Sequence, residues 1–303
     1  VAPYFGTVEK PECHMLYNVT TMATTWNTVA TRDVRLLRKQ MDIVCALPRE
    51  YTFLNYLRCH DDIGWGLDYA TLSSWGMKEV PHKKYLNDYF QGKTEGSVSR
   101  GELYNEDLVT GDARFCATTA SMCGVESAGF EQDDEKMAWA IRKDLMLHAY
   151  MFTQSGIPML YSGDEVGQVN DYSYKEDPDK APDSRYIHRG RFNWDLAEKI
   201  SDRASVQGRI FSGLEALEKI RRTEAVFNAD AEVYTKDYDD TSVLWVVRGA
   251  EGEELHAVFN FSDEGRKIWM PEKAEYTDLV TGVREEVETV DLSGWDFVWM
   301  KRG

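Results

Sequence analysis

The sequence contains no uninterrupted apolar run near the ~20 residues that a membrane-spanning helix needs, so a helical membrane protein is not expected. Its five cysteines (Cys13, Cys45, Cys59, Cys116 and Cys123) are an odd number and include no CxxC pair. Neither a zinc site nor a disulfide framework is therefore indicated, and reduced thiols in a cytoplasmic protein are the expectation. Positive charge is scarce: 35 Lys and Arg stand against 52 Asp and Glu, a net charge of −17. Such a surface repels nucleic acid and anionic membranes, and neither is expected as a partner. No initiator methionine, basic n-region or apolar h-region precedes Val1-Ala2-Pro3, so no signal peptide is expected and the start reads as the interior of a longer chain. No internal repeat or low-complexity tract stands out.

What is present is an ordinary globular balance of 43% hydrophobic and 29% charged residues over 303 positions, enough for two domains. Aromatic residues make up 12%; rings stack on sugar faces as well as filling cores, and on their own they favour packing. Apolar positions from Trp26 to Val44 recur near a 3.6-residue period and predict one long helix over 19–46, stopped at Pro48. Thr52 to Leu57 then reads as a buried strand ending in Arg58-Cys59-His60-Asp61-Asp62. An acid-rich helix is predicted from about Asp133 to Thr153. After it, Gly156 to Tyr161 reads as a second apolar strand, ending in Ser162-Gly163-Asp164-Glu165.

Helices alternating with strands whose C-terminal ends carry the polar residues are the pattern of a parallel β/α barrel, where catalytic groups sit at those ends. The intervening stretch of about 70 residues is long enough to be a lid or an inserted subdomain, assigned to about 66–132. A helix over 208–222 closes this region at residue 222. From 223 to 303 short strand-like runs recur about every ten residues, as in an all-β sandwich. The expected fold is thus α/β: the C-terminal part of a (β/α)8 barrel, about strands 6–8, followed by a β-sandwich.

Three groupings carry chemistry. His60-Asp61-Asp62 at a strand end sets an imidazole beside two carboxylates, a set that can grip sugar hydroxyls and stabilise an oxocarbenium-like transition state; a capped turn is the alternative. Asp183-Ser184-Arg185 offers an ion pair to close a pocket, against an ordinary solvated loop. Thr110-Gly111-Asp112-Ala113-Arg114 is a turn that also presents a cation. Asn170, Asp171, Asp177, Asp179 and Asp183 do not match an EF-hand spacing and are read as a solvated loop. No metal and no cofactor are expected.

Taken together, these segments resemble a family. Asn55 to Trp65 is similar to the seventh-strand motif of glycoside hydrolase family 13, the α-amylase family, in its amylosucrase and sucrose hydrolase form. Gly156 to Gln168 resembles that group's eighth strand, Asp183 to Asn193 the loop after it, and Leu16 to Arg32 its sixth strand and helix. The resemblance implies that Asp61 is the transition-state stabiliser, that His60 binds the −1 sugar, and that Asp62 and Arg114 contact the +1 sugar. It also implies that Arg185 forms the salt bridge flooring the pocket. The family's nucleophilic Asp and acid/base Glu fall on earlier strands, and Glu165 is no substitute. The resemblance therefore implies a C-terminal fragment of a retaining enzyme on sucrose or another α-glucoside, inactive alone, whose partner is the N-terminal half of the barrel. Exposed half-barrel surface also predicts homo-oligomers or aggregation. A non-catalytic carbohydrate-binding or barrel-completing protein is the competing reading.

Overall fold

A computed structural model describes residues 2–7 and 9–303. Strand β1 (Met15–Tyr17) leads into helix α1 (Val19–Thr31), then α2 (Arg35–Cys45) and strand β2 (Thr52–Asn55). The single helix expected over 19–46 is therefore two. Arg32 adopts φ 60°, a left-handed conformation that ends α1 and turns the chain before α2 begins. Apolar periodicity carries across such a break, which is why the pattern alone gives no sign of it.

The next segment holds β3 (Ile63–Gly64), α3 (Tyr69–Ser74), α4 (Glu79–Phe90), β4 (Glu102–Tyr104), β5 (Arg114–Cys116), α5 (Thr119–Cys123) and α6 (Val125–Glu131). Its three strands form a small antiparallel sheet in the order β3-β5-β4. That sheet begins at Ile63, directly after Asp62. Helix α7 (Asp134–Thr153) starts on an Asp133 cap that accepts from the Glu135 and Lys136 amides; Asp134 and Glu135 in its first turn suit the positive end of the helix dipole. Strand β6 (Ile157–Pro158) follows, then three 3-10 turns between Asp164 and His188, and helices α8 (Trp194–Ala197) and α9 (Val206–Thr223).

Strands β1, β2 and β6 form one parallel sheet in that order, with Tyr17 opposite Leu54 and Leu54 opposite Ile157. Burial alternates along β2: Phe53 and Asn55 are buried, Thr52 and Leu54 half-buried. Among the described residues β1 and β6 are edge strands, and Met15, Tyr17, Val19, Ile157 and Leu160 are exposed beside them.

The tail is six antiparallel strands in the order β11-β10-β12-β9-β8-β7: β7 (Glu232–Lys236), β8 (Val243–Ala250), β9 (Glu253–Asn260), β10 (Arg266–Asp278), β11 (Arg284–Leu292) and β12 (Phe297–Arg302). A register shift between Trp269 and Ala274 bends the β10–β11 pair. Ile268 and Met270 thereby join Val243, Trp245 and Val247 in a second core layer, the sandwich expected from the spacing. The opposite face (Leu244, Val246, Ala257, Phe259, Trp299) merges with the core under α1 and α7. Strand β11 is the one the pattern does not predict. It carries Glu285, Glu286, Glu288 and Asp291, pairs with β10 alone at the sheet edge, and needs no apolar run there.

Two polar anchors fix the tail to the barrel layer. Arg248, fully buried, donates to the carbonyls of Val226, Thr153 and Asn228. Trp295, at φ 55°, inserts its indole between Arg32 and Lys143, 4.7 and 4.2 Å from its ring centre, and donates to Asp263.

All five cysteines are free; Cys13 is exposed while Cys59, Cys116 and Cys123 are buried, and burial pushes the Cys116 and Cys123 thiols well up. A thiol-reagent time course on folded protein is therefore expected to modify Cys13 first, with Cys116 and Cys123 reacting only on unfolding. Rapid native-state labelling of Cys123, located by peptide mass, would contradict this packing.

Candidate active site

Beyond Asn55 the chain of β2 stays buried through Tyr56, Leu57, Arg58 and Cys59, then surfaces at His60 and Asp61. Three contacts hold this emergence in place. Trp26 on α1 donates its indole N–H to the Leu57 carbonyl at 2.7 Å. Arg58 donates through Nε to Asp164 Oδ1 at 2.8 Å, its Nη2 lying 2.7 Å from the same oxygen, with both side chains only 2% exposed. Its guanidinium also lies 4.6 Å from the Tyr161 ring centre. Finally, the His60 carbonyl accepts from Arg189 Nε at 2.6 Å.

His60 Nε2 lies 3.6 Å from Asp61 Oδ1, and Arg189 Nη2 lies 3.8 Å from that oxygen. Asp62 is half-buried and faces Arg114 of β5, Nε to Oδ1 3.8 Å. Burial holds the Asp62 carboxyl above its usual range, with Arg114 and then Arg185 pulling it back. Gly64 is cross-strand from Arg114, and a Cβ there would meet Arg114 Nη1 at 2.7 Å, so the glycine leaves room for the guanidinium. A cavity of about 460 Å³ is lined by Tyr56, Arg58, His60, Asp61, Asp62 and Arg114. It opens at the C-terminal end of a parallel strand, where barrel enzymes place their chemistry.

Four of the five residues singled out in the sequence, His60, Asp61, Asp62 and Arg114, thus line one cavity. Arg185 does not. It makes its ion pair with Asp183 of its own turn, Nε–Oδ1 2.8 Å and Nη2–Oδ2 2.7 Å, and stacks over Tyr104 at 4.7 Å. A buried ion pair that does reach the cavity is Arg58–Asp164, of which Arg58 lines it. A two-residue separation lets Asp183 reach Arg185 without help from the barrel, whereas Arg58 and Asp164 meet because β2 and β6 are adjacent and parallel.

Sequence reasoning passed over both Arg58 and Asp164 as members of polar strand-end clusters. The available signal was opposite charge at the same end of two consecutive barrel strands. Glu165 turns inward on its own loop, accepting from the Gly163 amide at 2.7 Å. In the acidic loop, Asp171, Asp177 and Asp183 cap local turns by accepting from the amides two residues ahead. Asn170 departs from the solvated loop expected there: it is buried and ties Thr118 N to the Arg100 carbonyl.

No family model matches the sequence. The strand-end motifs resemble those of the C-terminal portion of glycoside hydrolase family 13 chains. Among curated proteins, the chain is 23% identical over 301 residues to glucosylglycerate phosphorylase of Escherichia coli (strain K12), covering 98% of this chain and 50% of that one. It is 20% identical over 316 residues to glucosylglycerate phosphorylase of Spirochaeta thermophila, with the same coverage. Similar solved structures include sucrose 6F-phosphate phosphorylase from Thermoanaerobacter thermosaccharolyticum, with a TM-score of 0.58 and 17% identity over 82% of this chain and 43% of that one. The ligand-free cyclic α-maltosyl-(1→6)-maltose hydrolase from Arthrobacter globiformis gives 0.55 and 14% over 98% and 47%. The chain spans about half the length of the curated relatives it matches. No described helix is long and apolar enough to cross a membrane.

Proposed function

We propose that this chain is the C-terminal part of a retaining enzyme that transfers the glucosyl unit of an α-glucoside, and that its cavity supplies one wall of the sugar site. The observation that carries this reading is the convergence of His60, Asp61, Asp62 and Arg114 on one cavity at a barrel strand end. Asp61 is the carboxylate that fixes ring hydroxyls as positive charge develops at the anomeric carbon, and His60 donates to a neighbouring hydroxyl. Asp62 accepts from, and Arg114 donates to, the sugar on the far side of the scissile bond. Retaining chemistry also needs a nucleophile and a proton donor about 5–5.5 Å apart; in this reading both come from the N-terminal half of the barrel, which is the partner of the β1 and β6 edges.

The motif resemblance favours sucrose as donor. Two curated relatives named as glucosylglycerate phosphorylases favour a second reading, in which inorganic phosphate attacks a glucosylglycerate. The two separate by binding, and an activity assay accompanies it. The 303-residue chain is incubated with sucrose, and with glucosylglycerate plus phosphate, and released sugar and glucose 1-phosphate are measured. No turnover is expected from the chain alone; turnover that survives Asp61→Ala at full rate would overturn the role of Asp61. Binding is followed in parallel by NMR. The preferred glucoside is expected to shift His60 and Asp61, and Asp61→Asn to weaken it at least about tenfold, since a hydrogen bond to a charged group is worth about 1.5–3 kcal/mol. Shifts confined to other surfaces would favour the non-catalytic reading.

A further inference from the structure

Three side chains of different ligand chemistry meet where the chain leaves β2. Cys59, His60 and Asp61 are consecutive, and a cysteine sulfur, an imidazole nitrogen and a carboxylate oxygen lie within 4.8 Å of one another. In an extended strand the middle of three consecutive side chains points away from its neighbours; the bend at His60 and Asp61 removes that alternation. All three residues line the same cavity as Asp62 and Arg114. Consecutive residues form no motif of the CxxC kind, so cysteine spacing does not disclose the set.

Zinc holds sulfur at about 2.3 Å and nitrogen or oxygen at about 2.0–2.2 Å, so its tetrahedral ligands stand about 3.3–3.6 Å apart. His60 Nε2 and Asp61 Oδ1, 3.6 Å apart, already have that spacing. The sulfur is the fixed member: Cys59 is 8% exposed and accepts from the Asp61 amide at 3.4 Å. The His60 and Asp61 side chains are exposed and can rotate to close the remaining gap. Two cations stand nearby. Arg58 is already paired with Asp164. Arg189 Nη2 is 3.8 Å from Asp61 Oδ1, longer than a hydrogen bond. Its Nε stays on the His60 carbonyl, so the carboxylate can leave Arg189 while the backbone remains held. A thiolate, an imidazole and one carboxylate suit zinc, whereas calcium and magnesium take six or more oxygens.

We propose that Cys59, His60 and Asp61 form a site for one zinc ion, and that this ion and an α-glucoside exclude each other. The Cys59 thiol gives its proton to solvent as the sulfur–zinc bond forms. Burial holds that proton more tightly than in an exposed cysteine, which costs affinity without preventing coordination. With the ion in place, His60 and Asp61 are engaged and cannot reach sugar hydroxyls, so zinc is an inhibitor of this cavity. The exclusion rests on the reading of the cavity as the sugar site; binding of the ion does not.

The experiment titrates the chelator-stripped 303-residue chain with zinc by calorimetry and with cobalt by absorption, no sugar being present. One zinc ion per chain is expected, and a thiolate-to-metal charge-transfer band in the cobalt form. Cys59→Ser is expected to abolish the band. Cys59→Ser and His60→Ala are each expected to weaken zinc at least about tenfold, since losing even a group behind a ligand costs 10–100-fold. His60 is exposed, so its variant tests the set even if Cys59→Ser fails to fold. Cys13→Ser, at an exposed cysteine beside His14, is expected to change nothing. Absence of zinc binding, zinc affinity that survives His60→Ala, or a band lost in Cys13→Ser would overturn the site. The zinc titration is then repeated with sucrose and with glucosylglycerate. A rise in the apparent zinc Kd supports exclusion, and unchanged zinc binding at saturating sugar overturns it. A chain that binds zinc and neither sugar would overturn the exclusion together with the sugar reading, and leave the ion site standing.

Discussion

Arg58→Ala is expected to destabilise the chain by about 3–5 kcal/mol, the cost of leaving one member of a buried ion pair without the other. Both Arg58 and Asp164 are only 2% exposed. Truncation strands the Asp164 carboxylate, whose proton affinity burial already raises. Asp164→Leu strands the guanidinium in the same way. The double variant Arg58→Met/Asp164→Leu is expected to regain most of the loss, because an apolar pair of similar volume removes the desolvation cost together with the attraction. Urea unfolding with an unchanged m-value measures all three. A single variant as stable as the wild type would mean that the pair is dispensable. A double variant no better than either single one would mean that specific hydrogen bonding, not charge balance, holds the strand end.

The opposite sign is expected at Lys143. Its ammonium is fully buried and has no hydrogen-bond partner, and its company is the Trp295 and Trp139 rings at 4.2 and 5.2 Å. Burial, and to a lesser degree Arg32, push it down to about 7. Below that pH the folded chain carries an unsolvated charge. Between about 7 and the ~10.4 of a free lysine, folding releases a proton, so stability rises with pH across that window. Lys143→Met removes the desolvation cost and forfeits a cation–π attraction of about 2 kcal/mol or more. The net is a gain of about 2 kcal/mol at neutral pH, shrinking toward pH 10. Unfolding free energies at pH 6, 8 and 10 test it; a methionine variant weaker than wild type at every pH would show that the aromatic clasp outweighs the burial.

The contrast between Arg58 and Lys143 also shows what the sequence makes legible. The barrel order, α7, the two strand ends and the sandwich can be read from period and spacing, since those patterns are imposed by which face meets the core. His60, Asp61, Asp62 and Arg114 can be read because the motif places them on a rim. Four features cannot. The break at Arg32 needs a left-handed φ that no local residue type announces. Strand β11 is held by edge pairing rather than by apolar content. Arg185 pairs with Asp183 of its own turn and does not line the cavity, which the motif alone does not tell. The Arg58–Asp164 pair joins residues 106 positions apart, and the only sign of it is opposite charge at the ends of neighbouring strands.

The three anchors at the end of β2 (the Trp26 indole on Leu57, Asp164 on Arg58, Arg189 on the His60 carbonyl) come from three separate parts of the chain. A tripeptide tethered that way does not depend on any one overhanging loop for its shape. The segment 105–112, whose tip exposes Leu108 and Val109, supplies none of these anchors and can be exchanged or lengthened while the tripeptide keeps its alignment. Tolerance to change and constancy of shape thereby fall to different stretches of the same polypeptide.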